Sequence, residues 1–405
     1  MTGIAAQPAV SKETTPPQQK PLFSAKTLSG QITAYRATAD VSAELWSRYS
    51  RPHWKDYRFQ QLAEETLYEG MEHACLVIAD PQGETLAIQP VFLIRQDLAL
   101  GTPPFLTRAV WWVRSWWPHF LEPRMLMAGS LAGEGQLAMD QTRTELAISA
   151  LQEGVELYAQ HCGARLITFK EFPATTRPAL QALTSRGYVR VPSYPSVRMP
   201  VAQPTFEKHL EHLTPATRKD LRRKFRESAA CGLIQMEVVE QLSPPLVDEL
   251  YALYLQVFER SEVRFERLTP SYFARVAEVL PDRVRWFLWR HEGRVVAFKL
   301  CFVHDGILYD DYIGLDYSVA LDLHLYFVTF RDLYTWAATH GIREYFSTPL
   351  SYDPKLRLGF QLAPLDLYLR HTSTLVNVIY TRLAKAMGPI AGDPTLNRFP
   401  NFSEL

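Results

Sequence analysis

The sequence predicts an α/β (α+β) fold in two tandem units, each a mixed central sheet flanked by helices. Three observations predict it. From 283 to 370, strands, tight turns and helices follow one another without a break. The first half repeats that order less cleanly. In both halves a long amphipathic helix ends at glycine and runs directly into an apolar strand, 141–161 into RLITFK and 321–340 into IREYFS. A strand–helix–strand crossover needs that order.

The second half is read first because its signals are sharper. RVRWFLWRH (283–291), RVVAFKLCFV (294–303) and ILYDDYIGLD (307–316) are strands joined at Glu292-Gly293 and His304-Asp305-Gly306. Dipeptides ending in glycine between apolar runs are the strongest short-range hairpin signal. After the helix 321–340 and Gly341 come a buried-type strand (342–347), a short helix around DPKLRLG (353–359) and a closing strand (364–370). In the first half, 41–51 and 57–69 are short helices, and 73–79 and 85–95 form a hairpin about Pro81-Gln82-Gly83. The helix 141–161, the strand 165–170, a helix at 176–185 and a strand over 187–199 complete it.

Between the halves, Thr214-Pro215 marks a helix start, a hydroxyl cap followed by proline in the first turn. That helix carries Arg218, Lys219, Arg222, Arg223, Lys224 and Arg226, with 218, 222 and 226 on one face, and ends at Cys231-Gly232. The expected division is a flexible tail (1–30), a first domain (31–203), the basic connecting helix (204–232), a second, catalytic domain (233–371), and a C-terminal helix and tail (372–405).

Composition excludes several classes. With 405 residues, 47% hydrophobic and 12% aromatic, the chain has core enough for two globular domains. Lys+Arg and Asp+Glu both number 43, so no global field draws the protein to nucleic acid or anionic lipid. Cys75, Cys162, Cys231 and Cys301 lack metal-ligand spacing and are expected to be buried free thiols in a reducing compartment. The Pro-, Gln- and Thr-rich start has no apolar core of a signal peptide, and no run of apolar residues is long enough to span a bilayer; a cytoplasmic location is expected.

Two motifs carry a family resemblance. The phrase LTPATRKDLRRK (213–224), after FEKHL and before a glycine, is similar to the start of the second domain of the Fem-type aminoacyltransferases, tandem GNAT-like proteins of bacteria. The segment Tyr352-Asp353-Pro354-Lys355-Leu356-Arg357-Leu358-Gly359-Phe360 resembles that group's Y-x-x-K-x-x-x-G-F. The resemblance covers 205–370, and 40–200 by element order alone. It implies two tandem GNAT-like domains and transfer of an acyl or aminoacyl group to an amine. No permanently bound cofactor is implied; acyl-CoA, acyl-carrier protein or aminoacyl-tRNA would serve as co-substrate. The chain departs from ordinary GNAT proteins before the long helix. Their glycine-rich pyrophosphate loop is replaced by LDYSVALDL (315–323), which weakens the case for free CoA. The coiled-coil arm of some Fem proteins is missing too.

In the GNAT plan the reacting carbonyl lies where two parallel strands splay, here the ends of 307–316 and 342–347. Asp310 and Asp311 point to opposite faces of their strand, so one faces inward, either to take an amine proton or as a paired structural acid. Lys355 matches the family's lysine and would neutralise an oxyanion or touch donor phosphate; otherwise it is a surface lysine in a turn. Tyr352 and Arg357 are its companions in donor binding. His324 is a candidate base or a packed side chain, and Ser347 and Thr348 are candidates to bond a leaving group. Arg218, Arg222 and Arg226 are read either as a contact for tRNA or a carrier protein, or as a solvated face. The segment 110–117 (VWWVRSWW) is core, partner interface or substrate channel. A non-catalytic scaffold that has lost the donor loop is the competing reading. A nucleic-acid reader would rest on the basic helix alone.

Overall fold

A computed structural model describes residues 20–67, 70–95, 108, 111–116, 122–261, 266–386 and 388–405. Nine strands form the first sheet: β1 Phe23–Lys26, β2 Gln31–Tyr35, β3 Glu72–Ala79, β4 Thr85–Arg95, β5 Arg124–Ala128, β6 Ala138–Met139, β7 Leu166–Pro173 and β8 Val189–Pro192, with a ninth from the far end of the chain. The second sheet holds seven: β9 Ser196–Pro200, β10 Ile234–Val239, β11 Val284–His291, β12 Arg294–His304, β13 Ile307–Leu315, β14 Glu344–Ser347 and β15 Gln361–Ala363. The last strand, β16 Leu365–His371, returns to the first sheet. Helices α1 Ala43–Tyr49, α2 Tyr57–Thr66, α3 Thr144–His161, α4 Arg177–Ser185, α5 Phe206–Glu211 and α6 Pro215–Ala230 precede α7 Pro244–Arg260, α8 Pro270–Val279, α9 Leu325–Thr339, α10 Tyr352–Arg357 and α11 Thr374–Ala386.

Local chemistry explains most of these elements. The β11–β12 and β12–β13 hairpins turn in two residues each, with His291 opposite Arg294 and His304 opposite Ile307. Glu292 and Gly293, then Asp305 and Gly306, all take positive φ, the backbone that matches the twist of the flanking strands. Thr214 caps α6 by accepting from the Thr217 N–H, with Pro215 in the first turn. The helix read over 321–340 begins only at Leu325, because 317–324 forms a tight turn that ends in a left-handed His324.

The division at 203 and 233 does not match the sheets. β9, expected to close the first unit, pairs antiparallel with β14 and β15 in the second sheet. In return β16, expected to close the second unit, lies between β7 and β8 in the first. Each sheet is completed by a strand from the other half. Part of the expected tail is also strand: β1 pairs with β2 in register, Phe23 opposite Ala34 through Lys26 opposite Gln31. Residues 1–19 lie outside the described residues. Cys75 and Cys301 are buried, but Cys231 is exposed because it caps the C-terminus of α6.

One hydrophobic core runs through both sheets. It joins Trp54, Phe59, Phe92 and Met125 to Phe273, Trp286, Phe298 and Phe302. Trp54 stacks on Phe302 at 4.0 Å between centroids, and Arg283 fixes the same segment by donating to the carbonyls of His53 (3.1 Å) and Trp54 (2.7 Å). The parts are therefore predicted not to fold separately. A fragment of residues 1–203 lacks β16 and exposes the edge of β7, so circular dichroism and amide NMR should show no native sheet until residues 204–405 are co-expressed. A well-dispersed spectrum from 1–203 alone would refute this.

Candidate active site

The site forms where strands stop pairing. β13 and β14 run parallel from Ile307–Glu344 to Asp310–Ser347, and then β14 ends while β13 continues to Leu315. β5 and β7 do the same in the first sheet, pairing from Met125–Leu166 to Ala128–Phe169. The two openings face one cavity of about 310 Å³, lined by Gly133, Lys170 and Glu171 from the first sheet and by Asp310, Asp311, Ser347 and Thr348 from the second. A narrower recess continues to Lys55, Glu134 and Ser196. Tyr254, Val257, Phe258 and Tyr326 supply an apolar wall.

Asp310 and Asp311 face different environments, as neighbours in a strand must. Asp310 is buried and pairs with Lys299, and the Tyr345 hydroxyl donates to the same carboxylate oxygen at 2.7 Å. Lys299 also donates to the Tyr345 oxygen at 3.3 Å. Asp311 keeps partial contact with the cavity, yet its surroundings are poor in water. Burial pushes its carboxyl up to about 7 against the pull of Lys55, with Glu266, Asp310 and Glu134 adding to the rise. Burial also raises Glu134 and Glu266; Ser196 donates to the first at 3.0 Å and Tyr312 to the second at 3.1 Å.

Lys355 is not a surface residue. It is buried in the short α10, and its ammonium reaches the carbonyls of Thr348 (2.5 Å) and Pro349 (3.5 Å) at the end of the splay. Burial lowers its pKa to about 7, opposed by Asp310 and aided by Lys299. The next two residues of that rim, Leu350 and Ser351, both have positive φ, a backbone state that non-glycine residues hold only when packing imposes it. Lys55 enters on the segment before α2. Its ammonium donates to the Ala132 carbonyl at 2.5 Å and sits 4.9 Å from the centre of the Trp54 ring. Burial lowers its pKa, while Asp311 and Glu134 hold it up.

The structure thus brings Asp310, Asp311, Ser347, Thr348 and Lys355 together. The other expected site residues lie elsewhere. The Tyr352 hydroxyl donates to the Pro195 carbonyl at 2.8 Å and its ring packs on Phe399, so it anchors the crossing chain. Arg357 pairs with Asp353 at the surface, and His324 with Glu227 at 2.9 Å. On the basic helix Arg222 pairs with Glu207, Arg223 with Asp220 and Glu227, and Lys224 with Asp220; Arg218 donates to the Glu211 carbonyl. Arg226 is exposed on the same helix. None of these lines the cavity. In the turn that replaces the pyrophosphate loop, the N–H groups of Val319, Ala320, Leu323, His324 and Leu325 are bonded to carbonyls between 316 and 321. Most of that turn's amides are thus already engaged by its own carbonyls.

The sequence reading missed Lys55, Glu134, Lys170, Glu171, Glu266, Lys299 and Tyr345. Lys299 had a signal: it is the one charge inside VVAFKLCFV, a run that is buried from Val295 to Phe302 and obliges a partner. Lys299→Met is predicted to destabilise the protein by about 3–5 kcal/mol by leaving Asp310 buried and unpaired. Lys299→Met with Asp310→Leu should regain most of the loss in urea unfolding. Equal stability of wild type and the single variant would show that the pair is not desolvated.

The sequence profile of a GNAT acetyltransferase domain matches residues 215–349. A curated protein of Mycobacterium tuberculosis, provisionally named 8-amino-7-oxononanoate synthase 2, is 23% identical over 359 residues, covering 84% of this chain and 45% of that protein. The chain therefore spans less than half the length of the curated relatives it matches. Two solved structures share its fold at a TM-score of 0.50. The C-terminal domain of a provisionally assigned lysylphosphatidylglycerol synthetase from Agrobacterium fabrum is 13% identical and matches over 88% of this chain and all of that one. FemX is 12% identical, over 80% of this chain and 96% of its own.

Proposed function

From a GNAT domain over residues 215–349 set in a Fem-like tandem GNAT fold, we propose that the protein transfers an acyl or aminoacyl group from an activated donor to an amine, by direct attack, in the cavity between the two splays. The observation that carries this reading is Asp311: a carboxylate at the splay, open to the cavity, with its proton affinity raised to about 7. An ammonium acceptor must lose a proton to attack, and a carboxylate poised near neutrality accepts it efficiently. Asp311 is the general base. Lys355, fixed at the splay rim, faces the charge that develops on the carbonyl oxygen and stabilises it as a cation. Asp310, tied to Lys299 and Tyr345, holds the strand in place. The adduct collapses by breaking the donor's acyl carbon–sulfur or carbon–oxygen bond, the thiol or hydroxyl leaves with the proton that Asp311 accepted, and no covalent intermediate on the protein is needed.

The donor is acyl-CoA, acyl-carrier protein or aminoacyl-tRNA. The self-bonded turn at 316–325 favours the last two, because most of the amides that would cradle a CoA diphosphate there are already engaged. The same observation supports the competing reading, a binding scaffold without turnover.

Two measurements test the proposal. Asp311→Asn should lower kcat by on the order of 10²–10⁴. In the wild type, kcat/KM should rise with pH as Asp311 loses its proton near 7 and fall as Lys355 loses its own near 7, giving a narrow bell whose limbs belong to the coupled pair. A flat profile from pH 5 to 9 would remove both roles. Titration of acyl-CoAs, acyl-carrier protein and charged tRNA against wild type and Lys355→Met should then show one donor that binds the wild type and binds the variant more weakly. Absence of binding to all three would favour the scaffold.

A further inference from the structure

Helix α11 lies on β16 and β8 by a narrow inner face. Asn377, which is buried, accepts from the His371 N–H at 2.8 Å and donates to the Gly187 carbonyl at 2.7 Å, and Tyr380 packs on the shared core. The outer face is apolar and open: Leu375 is 86% exposed, Val376 46%, Val378 52%, Ile379 63% and Leu383 53%. A second open apolar group lies between β4 and β5, where Trp111, Trp112 and Trp116 are 68%, 70% and 82% exposed. Three exposed tryptophans exclude the core reading of that segment; Val110 and Trp117 lie outside the described residues. Both groups leave the same end of the first sheet. Arg95 is opposite Arg124, Met125 is opposite Leu166, and Leu166 is opposite His371, the last residue before α11.

Apolar surface on this scale marks a binding face. Its charge chooses the occupant. Helix α11 carries Arg382 and Lys385 and no acid, and neither cation has an ion pair among the described residues. Among the described residues at that end of the sheet, Glu72 is neutralised by Arg124 at 2.7 Å and Glu122 by Arg114 at 3.2 Å. A second copy across a two-fold axis would present the same acid-free helix and offer these cations no opposite charge from it. A short amphipathic helix with basic residues beside apolar ones, next to tryptophans, suits the boundary between lipid headgroups and acyl chains. We propose that α11 and the 111–116 segment together form a docking surface for an anionic lipid membrane, on which the protein lies without crossing it.

Flotation of the full chain with vesicles tests this. Phosphatidylglycerol-containing vesicles should carry the protein, and pure phosphatidylcholine vesicles should not. Leu375→Ser/Ile379→Ser/Leu383→Ser and, separately, Trp111→Ser/Trp112→Ser/Trp116→Ser should each lower partitioning on the order of tenfold. Both leave the core untouched, so the thermal midpoint should stay at the wild-type value. Arg382→Glu/Lys385→Glu provides a second test that alters no apolar group and should abolish the preference for anionic vesicles. Failure of the wild type to bind, or equal binding by all variants, would overturn the proposal. A mass that doubles with concentration and reverts to monomer in the α11 variant would assign the face to a second copy and overturn it equally.

Discussion

Strands β9 and β16 each complete the sheet of the opposite half, and the position of every group in the cavity depends on that exchange. β9 enters the second sheet directly after β8 leaves the first, and β16 makes the return journey after β15. The chain is thereby tied across the interface twice. The tie brings the opening after β5 and β7 up against the opening after β13 and β14. A single unit would leave its splay facing water; here each splay is the other's lid, and the charges inside are held at low dielectric.

Low dielectric explains why this site has the composition it does. Lys55, Lys170, Lys299 and Lys355 meet Glu134, Glu171, Glu266, Asp310 and Asp311 around one cavity and its recess. The members differ in how fully they are compensated. Lys299 and Asp310 satisfy each other and Tyr345, which suits a structural role. Among the described residues Asp311 and Lys355 form no such close ion pair, and both are displaced towards neutrality. Incomplete compensation is what leaves a group free to exchange a proton with a substrate.

Much of this was legible in the sequence wherever the information was local. The two-residue turns at 292–293 and 305–306 set the register of β11 to β13, and Thr214-Pro215 set the start of α6. Asp310, Asp311 and Ser347 could be placed because the family resemblance puts the site at the end of the parallel pairing, and Lys355 because it matches that family's lysine. The expectation from sequence does not include α7 and α8, and it assigns the strand 23–26 to the tail. The exchange itself was hidden, because 187–199 carries the pattern of one long strand and nothing local says that its two parts serve different sheets. Lys55, Glu134, Lys170 and Glu171 meet within the first half through contacts distant in sequence, and they share a cavity with Glu266 and Asp311 only where the two halves join. Tyr352 and Arg357 were placed correctly along the chain beside Lys355, but on a six-residue helix their side chains leave in other directions, one to Pro195 and one to Asp353.

The exchange also orders events during synthesis. Tyr368 lies opposite Phe169 in the finished sheet, about two hundred residues after it. A ribosome adding roughly 5–20 residues per second needs about 10–40 s to travel from β8 to β16. Throughout that interval the first half lacks the strand that joins β7 to β8, and LITFKEFP stays without its partner. Contacts so distant in sequence form late and slowly. The newborn chain therefore passes that interval half built, with an apolar strand waiting for a partner that is still to be made.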